Sequence, residues 1–276
     1  DGASQRRIVT VKQFLVALLG QTNFDLCAGS LPRAVQNVDH SQTTLVKAFE
    51  GAFIYFNHFI KAQSYDVVNQ EYLLLAISRG AAIICADGNV GIDIVVPVLF
   101  GTELKKDKVT AILIQSQNSR HYKAKIQYPV FMNMNPYRCG LFDRDVKESP
   151  PVLRMVFALA SPTPAVSSPV VADSEQRSPR TQQQTAKFTA YEIWCAGASH
   201  ETFAVVQKDE DAAFAALLKM MRDGRDVLAQ QHYSEGIRRV LRQMQPLVST
   251  HPDNISLFAE IAPNMEEIPL ADDAEE

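Results

Sequence analysis

Three apolar runs in close succession, at residues 81–86, 92–99 and 109–116, constrain the fold of this chain most strongly. The turn DGNVG and the polar loop GTELKKDK separate them, so we expect three adjacent strands of one sheet. The runs at 152–160 and 189–197 predict two further buried strands.

Helical spacing and capping signals appear on both sides of these strands. They predict helices at residues 10–20, 43–61, 69–80, 209–224 and 226–246, with a loop over 21–43. This order of elements indicates a mixed α/β fold. We expect a single α/β domain over residues 1–265 with a helical C-terminal part, 209–260, and then a disordered acidic tail, 266–276. Residues 161–187 are rich in Pro, Ser and Gln and predict a flexible insertion.

The composition suits a globular protein, because 46% of the 276 residues are hydrophobic and 21% are charged. The formal net charge of −4 argues against a surface that coats nucleic acid broadly, although a local basic groove is compatible with it. No apolar run reaches the roughly 18–20 residues of a membrane span. The four cysteines are widely spaced, which argues against a zinc site and favours an intracellular location, cytoplasm or nucleus.

Two of the predicted strands carry polar side chains at positions that otherwise belong to the sheet core. Asp93 interrupts the run GIDIVVPV, and Gln115 and Gln117 end the run AILIQSQ. A buried carboxylate normally has a partner, a metal ion or a catalytic role, because burying it alone is costly. Alternation puts both glutamines on one face, and pairing of the two strands would bring Asp93 towards them. Glu71, on the helix before the first strand, is placed to cover the same edge.

The order of these segments (a helix with Glu71, a strand, a turn, GIDIVVPV, a loop and ILIQSQN) resembles the PD-(D/E)XK, or restriction-endonuclease-like, nuclease superfamily. More narrowly, RGAAIICADGNVGIDIVVPV, AILIQSQN and RMVFALASPTPAV resemble a group of proteins from mushroom-forming fungi (basidiomycetes). Some members of that group are related to transposon-associated or Crinkler-type effector proteins. The resemblance covers residues 44–165 and implies an αβββαβ core with a mixed sheet, which we expect within residues 69–200.

The resemblance also implies a Mg²⁺ site. Asp93 would bind the metal, and Gln115 would offer its amide oxygen where many relatives carry Glu. The backbone carbonyl of Ser116 would be a further ligand and Glu71 an outer carboxylate. Oxygen ligands of this kind suit Mg²⁺ or Mn²⁺, which would activate a water for attack on a DNA phosphodiester.

The chain departs from that family at Gln117, where the relatives carry Lys. A neutral amide supplies no positive charge, and Arg120 and Lys123 downstream are alternative sources of it. The resemblance therefore implies a nuclease-fold protein with an eroded catalytic site (Asp93, Gln115, Gln117) that is weakly active or inactive on DNA. The alternative is a non-catalytic interaction or scaffold protein, an effector or transposon accessory, that retains the fold and binds a protein partner.

Each candidate residue also has a purely structural interpretation. Asp93 suits a turn cap or a hydrogen bond to the backbone, and Gln117 suits a solvated strand end. Glu71 suits an exposed helix surface. The sequence leaves the choice between these interpretations open, together with the oligomeric state.

Overall fold

The computed structural model describes residues 8–37, 40–64, 67–86, 91–143, 148–168 and 184–229. The chain divides into two compact units, residues 1–216 and 217–276, and the first unit contains every strand described below. The helices within the described ranges are α1 (Val11–Ala28), α2 (Leu45–Ala48), α3 (Gln70–Arg79), α4 (Tyr128–Asn133) and α5 (Asp211–Ala229).

Eleven strands in the described ranges belong to one mixed sheet. They are β1 (Val9–Thr10), β2 (Ala34–Val35), β3 (Ala52–Ile54), β4 (His58–Lys61), β5 (Ala81–Ile84), β6 (Ile94–Phe100), β7 (Val109–Gln117), β8 (Val152–Ala158), β9 (Ala165–Ser167), β10 (Gln184–Thr185) and β11 (Ala190–Ala196). The chain is therefore an α/β protein with a large, open, mixed sheet.

The centre of the sheet has the strand order β6–β7–β8–β11. Strand β6 is antiparallel to both β5 and β7, whereas β8 is parallel to both β7 and β11. Helix α4 lies in the connection from β7 to β8, where a parallel pair requires a crossover. The edge of the sheet beyond β5 is formed by β4, which is parallel to β5.

Strand β6 contains Pro97, although proline is disfavoured in central strands because it has no N–H to donate. The pairing of β6 explains how Pro97 is accommodated. On the side away from β7, β5 pairs with Ile94 and Val95, and β3 pairs with Leu99 and Phe100. Pro97 falls in the gap between these two partners, so the described sheet requires no second ladder at that position.

Hydrophobic side chains cover both faces of the sheet. Helices α3 and α4 pack on one face, the α3 face, through residues such as Leu73, Ile77 and Phe131. Helices α1 and α2 pack on the other, the α1 face, through residues such as Leu15, Leu19 and Leu45. Along β7, Leu113 belongs to the α3 face and Ile112 to the α1 face. Burial on both faces explains why the central strands are continuous apolar runs.

The structure confirms the central predictions. The runs at 81–86, 92–99 and 109–116 form the adjacent strands β5, β6 and β7, and the runs at 152–160 and 189–197 form β8 and β11. The helix predicted at 69–80 is α3. Its N-cap Asn69 accepts a hydrogen bond from the Tyr72 amide at 3.0 Å, and Gly80 follows its last residue.

The helix predicted over residues 43–61 is wrong beyond Ala48, because the segment turns at Gly51 (φ 72°) and then forms β3 and β4. Its aromatic residues have an accidental helical spacing, but aromatic and β-branched residues also favour strands. The predicted loop over 21–43 is wrong as far as Ala28. Gly20 (φ 79°, ψ 159°) interrupts α1, and the helix resumes after it.

Part of the predicted flexible insertion is also ordered. Ala165–Ser167 forms β9, antiparallel to β11, and Gln184–Thr185 forms β10, parallel to β2. The helix predicted at 209–224 is α5, which continues to Ala229. Residues 169–183, most of the predicted helix at 226–246 and the predicted tail at 266–276 lie outside the described residues.

A buried ion pair joins β8 to β11. Arg154 and Glu192 are cross-strand partners, and Arg154 Nη2 donates to Glu192 Oε1. Arg154 Nη1 donates to the Phe131 carbonyl of α4 at 2.8 Å, and Arg33 Nη1 lies 3.9 Å from Glu192 Oε2. Burial lowers the pKa of Arg154 and raises the pKa of Glu192, while their mutual attraction opposes both shifts. Two guanidinium groups therefore share one carboxylate within the core.

Removal of that carboxylate should destabilise the protein strongly. We expect Glu192→Ala to lower the free energy of unfolding by about 3–5 kcal/mol, because the charge of Arg154 would remain buried without its partner. The double variant Arg154→Met/Glu192→Leu should cost less than Glu192→Ala alone. Urea titration followed by the fluorescence of Trp194, the single tryptophan of the chain, measures this.

Lys47→Ala provides the matched control, because the Lys47–Glu50 ion pair is exposed and should contribute no measurable stability. Equal urea midpoints for Glu192→Ala and Lys47→Ala would contradict the structural role of the buried pair.

Candidate functional site

The candidate site lies where the regular pairing of β6 and β7 ends, at Ile94 and Ile114. The preceding residue, Asp93, donates its amide to the Ile114 carbonyl at 2.9 Å, and its carbonyl accepts from the Cys85 amide at 2.8 Å. Ile92 packs on the α3 face, as Val95 does, so the strict alternation of faces is interrupted between them. Such an interruption is typical of a β-bulge, which redirects a side chain at the end of a ladder.

The Asp93 carboxylate points to the backbone of β7. Its Oδ2 accepts a hydrogen bond from the Ser116 amide at 2.5 Å. Desolvation by the surrounding protein raises the pKa of Asp93, although the side chain retains exposed surface, and the Ser116 hydrogen bond and the positive charge of Lys61 partly oppose the rise. The charged form of Asp93 is thus held by one backbone donor and one nearby cation.

Gln115 and Gln117 are the last two alternate residues of β7 that share a face, and both are half-buried. Alternation places them on the α3 face with Leu113, as the sequence predicts. Gln115 Oε1 is buried and has no hydrogen-bond partner among the described residues. A buried acceptor left unsatisfied is costly, and a cation or a donated hydrogen bond would satisfy it.

The polar oxygens at this end of the ladder belong to Asp93 and Gln115. Asp93 supplies a carboxylate and Gln115 an orphaned amide oxygen, both of which are hard donors of the kind that Mg²⁺ takes. Among the described residues, no three His, Cys, Asp or Glu side chains form a group that could hold a metal. A bound Mg²⁺ or Mn²⁺ would therefore keep most of its waters and bind weakly.

The structure places Glu71 away from these groups, contrary to the expectation of an outer ligand. Gln70 Nε2 donates to the Val109 carbonyl at 2.8 Å, which fixes the start of α3 at the start of β7. The charge of Glu71 acts on Lys106, just before β7. Gln115 lies about 20 Å further along the strand, at the usual rise per residue. The direction of α3 therefore places Glu71 near the start of β7, whereas Gln115 lies near the end of that strand.

Lys61 lies in the same part of the sheet, although the sequence pattern does not place it there. This lysine ends β4 and aligns with Ile84 of β5, which in turn aligns with Ile94 of β6. It was hidden by the incorrect helix over residues 43–61. The usable signal was the short run HFIK after Asn57, in which aromatic and β-branched residues favour a strand.

Comparison of the chain with protein-family models, with curated proteins and with solved structures found no match in any of the three. The class of this protein therefore follows from its fold and its site alone. It is an α/β protein with a polar site at the start of the central strand β6. Within the described ranges, no helix is both long enough and apolar enough to cross a membrane.

The raised pKa of Asp93 has a definite consequence for stability. A carboxyl whose pKa is higher in the folded chain than the roughly 3.9 of an unfolded chain is protonated more readily when folded. Below about pH 3.9 the Asp93 carboxyl is protonated in both states and costs the folded chain no stability. As the pH rises through the pKa of the folded state, the carboxyl ionises and the free energy of unfolding falls. Asp93→Asn keeps an acceptor for the Ser116 amide and removes the charge. We therefore expect a higher urea midpoint at pH 7 and an unchanged midpoint near pH 3.

Glu50→Gln is the control for this prediction, because the pKa of Glu50 is lowered by its hydrogen bond to Lys47. That substitution should not raise the midpoint at pH 7. A midpoint for Asp93→Asn at or below that of the natural chain would mean that the carboxylate is stabilised where it stands.

Proposed function

We propose that this chain is a restriction-endonuclease-like protein whose metal-dependent phosphodiesterase site is eroded, so that it cleaves DNA slowly or not at all. Two observations carry the proposal: Asp93 is a carboxylate anchored where the β6–β7 ladder ends, and Gln115, the residue after the last residue of β7 that pairs with β6, has a buried amide oxygen without a partner among the described residues. The element order α3, β5, β6, β7, α4, β8 supports it, because this is the αβββαβ order that the sequence resemblance implies. The antiparallel β5–β6–β7 unit and the parallel β8 agree with a mixed sheet.

In this proposal, the side-chain oxygens of Asp93 and Gln115 would hold the cation. Bound there, Mg²⁺ would lower the pKa of a coordinated water and neutralise charge on the phosphate. Hydrolysis forms a bond from the water oxygen to phosphorus and breaks the bond from phosphorus to the leaving sugar oxygen, which takes up a proton. Gln117 donates a hydrogen bond to the phosphate but adds no charge where charge counts most.

A non-catalytic scaffold is the second candidate function, and one observation favours it. The Asp93 carboxylate already accepts the Ser116 amide at the end of the β6–β7 ladder. Closing that ladder is a sufficient structural reason for an acid at this position. In a scaffold, the site would have no measurable affinity for a divalent metal.

Restoring the cation separates the two candidates. We expect the natural chain to nick supercoiled plasmid DNA slowly or undetectably with Mn²⁺, and Gln117→Lys to raise the rate on the order of 10²–10³-fold. Asp93→Ala added to Gln117→Lys should remove that gain, because it removes the carboxylate that holds the metal. Nicking is measured on agarose gels under single-turnover conditions.

Gln117→Met is the matched control, since it has a similar length and no charge, and it should give no gain. If Gln117→Lys remains folded and binds Mn²⁺ but gains no activity, the erosion extends beyond one residue and the scaffold proposal is preferred.

A further inference from the structure

Three buried polar atoms around the shared carboxylate have no hydrogen-bond partner among the described residues. They are Nε of Arg33, Nε of Arg154 and Oε2 of Glu192. The Arg154 and Glu192 side chains are only 5% and 1% exposed. A buried donor or acceptor without a partner is costly, so the three atoms together indicate a place for a further polar group.

The charges of this cluster are not balanced either. Arginine stays protonated in proteins, so Arg33 and Arg154 bring two positive charges to the one negative charge of Glu192. The charges that act on Glu192 are those of these two arginines. Among the described residues the cluster thus has one positive charge in excess, which a small anion would neutralise.

Aromatic rings hold both guanidinium groups by their faces. The guanidinium carbon of Arg33 lies 4.4 Å from the centroid of the Tyr128 ring. That of Arg154 lies 5.5 Å from the centroid of Phe188 and 5.9 Å from that of Phe131. A guanidinium that stacks on a ring keeps its N–H donors in a fixed plane, which is the arrangement that recognises oxyanions.

We propose that Arg33, Arg154 and Glu192 form a binding site for a small protonated oxyanion, represented by inorganic phosphate. The two Nε–H groups would donate to its oxygens, and its own P–O–H group would donate to Glu192 Oε2. This inference goes beyond the proposed function and does not depend on it, because none of the three residues belongs to the candidate metal site.

The free acceptor on Glu192 selects among oxyanions. Inorganic phosphate keeps at least one proton at neutral pH, whereas sulfate keeps none and a phosphate monoester, with a second pKa of about 6, is mostly without one. An oxyanion without a proton would leave Glu192 Oε2 unpaired and bring a like charge to it. The site should therefore prefer inorganic phosphate to both.

The cluster reaches the solvent through Arg33, whose side chain is 12% exposed. Arg33 precedes the short strand β2, which pairs with β11 at one residue pair, Ala34 and Ala190. A ligand as small as phosphate would enter past Arg33, whereas the burial of Arg154 and Glu192 excludes a large one.

Isothermal titration calorimetry on the full chain, at pH 7 and constant ionic strength, tests the site. Inorganic phosphate, sulfate and glycerol 3-phosphate are titrated separately. We expect inorganic phosphate to bind at least about tenfold more tightly than either of the others, since a site built to accept a ligand proton rejects ligands that lack it.

Two variants test the roles of the residues. Arg33→Gln should weaken phosphate binding on the order of 10–100-fold, because it removes a charge-assisted donor. The matched control, Arg79→Gln, changes an exposed arginine at the end of α3 and should leave the dissociation constant unchanged. Glu192→Gln puts an amide donor where Oε2 accepts, so it should bind sulfate at least about tenfold more tightly than the natural chain does. Urea midpoints confirm that each variant is folded.

The double variant Arg154→Met/Glu192→Leu removes the site without leaving a buried charge unpaired, and it should bind no phosphate. The proposal fails if inorganic phosphate does not bind the natural chain, or if Arg33→Gln binds it as tightly as Arg79→Gln. Equal affinities of the natural chain for phosphate and sulfate, or tighter binding of glycerol 3-phosphate, would contradict selection by Glu192. None of these measurements involves DNA or a metal, so their outcome is independent of the proposed function.

Discussion

The sharing of one carboxylate, Glu192, by Arg154 and Arg33 is the interaction on which the arrangement of this sheet most depends. Strands β8 and β11 are parallel neighbours, yet the residues between them include β9, β10 and a long connecting segment. A turn therefore cannot set their register. A slip of one residue would move Arg154 and Glu192 to opposite faces and leave both charges buried and unpaired, which is far costlier than the loss of an apolar contact. The ion pair thus fixes the register of β8 against β11.

The ion pair also contacts the elements that lie next to the candidate site. Arg154 holds the Phe131 carbonyl, which fixes α4 against the α3 face, and it is the cross-strand partner of Leu113 in β7. Two residues further along β7 comes Gln115, opposite Val156. The pairing of β7 with β8 thus places Gln115 relative to the charged pair, and the separate pairing of β6 with β7 places it relative to Asp93. A site made of two residues on two strands can be positioned without a dedicated loop because the strands themselves are fixed.

Several parts of this architecture could be predicted from sequence because they depend on local patterns. Burial on both faces makes β5, β6 and β7 continuous apolar runs, and the capping residue Asn69 and Gly80 mark the ends of α3. The segment over β3 and β4 could not be predicted in this way, because its aromatic spacing fits a helix and a pair of short strands equally well. Tertiary pairing with β5 and β6 decides between them.

The candidate site was predictable in its residues and not in its geometry. Polar side chains at Asp93, Gln115 and Gln117 are conspicuous in apolar strands. The interrupted strand pairing at Asp93 is not visible in the sequence. Nor is the direction of α3, which separates Glu71 from the other three residues. Arg154 and Glu192 were equally conspicuous, each a lone charge in an apolar run and of opposite sign. Opposite sign suggests a pair, but Asp93 is an equally plausible partner for Arg154 by sign, and strand pairing decides for Glu192.

The open edge of β4 has a consequence for the behaviour of the protein at high concentration. Phe59 and Ile60 are 50% and 44% exposed on a strand that pairs on one side only among the described strands, which is the arrangement that invites a strand of another molecule to add to the sheet. A charged residue on such an edge opposes that addition, because stacking copies would bring like charges together. Lys61 occupies this position at the end of β4, so it acts as a gatekeeper against aggregation. A substitution that removes this positive charge should therefore make the protein more prone to aggregate at high concentration.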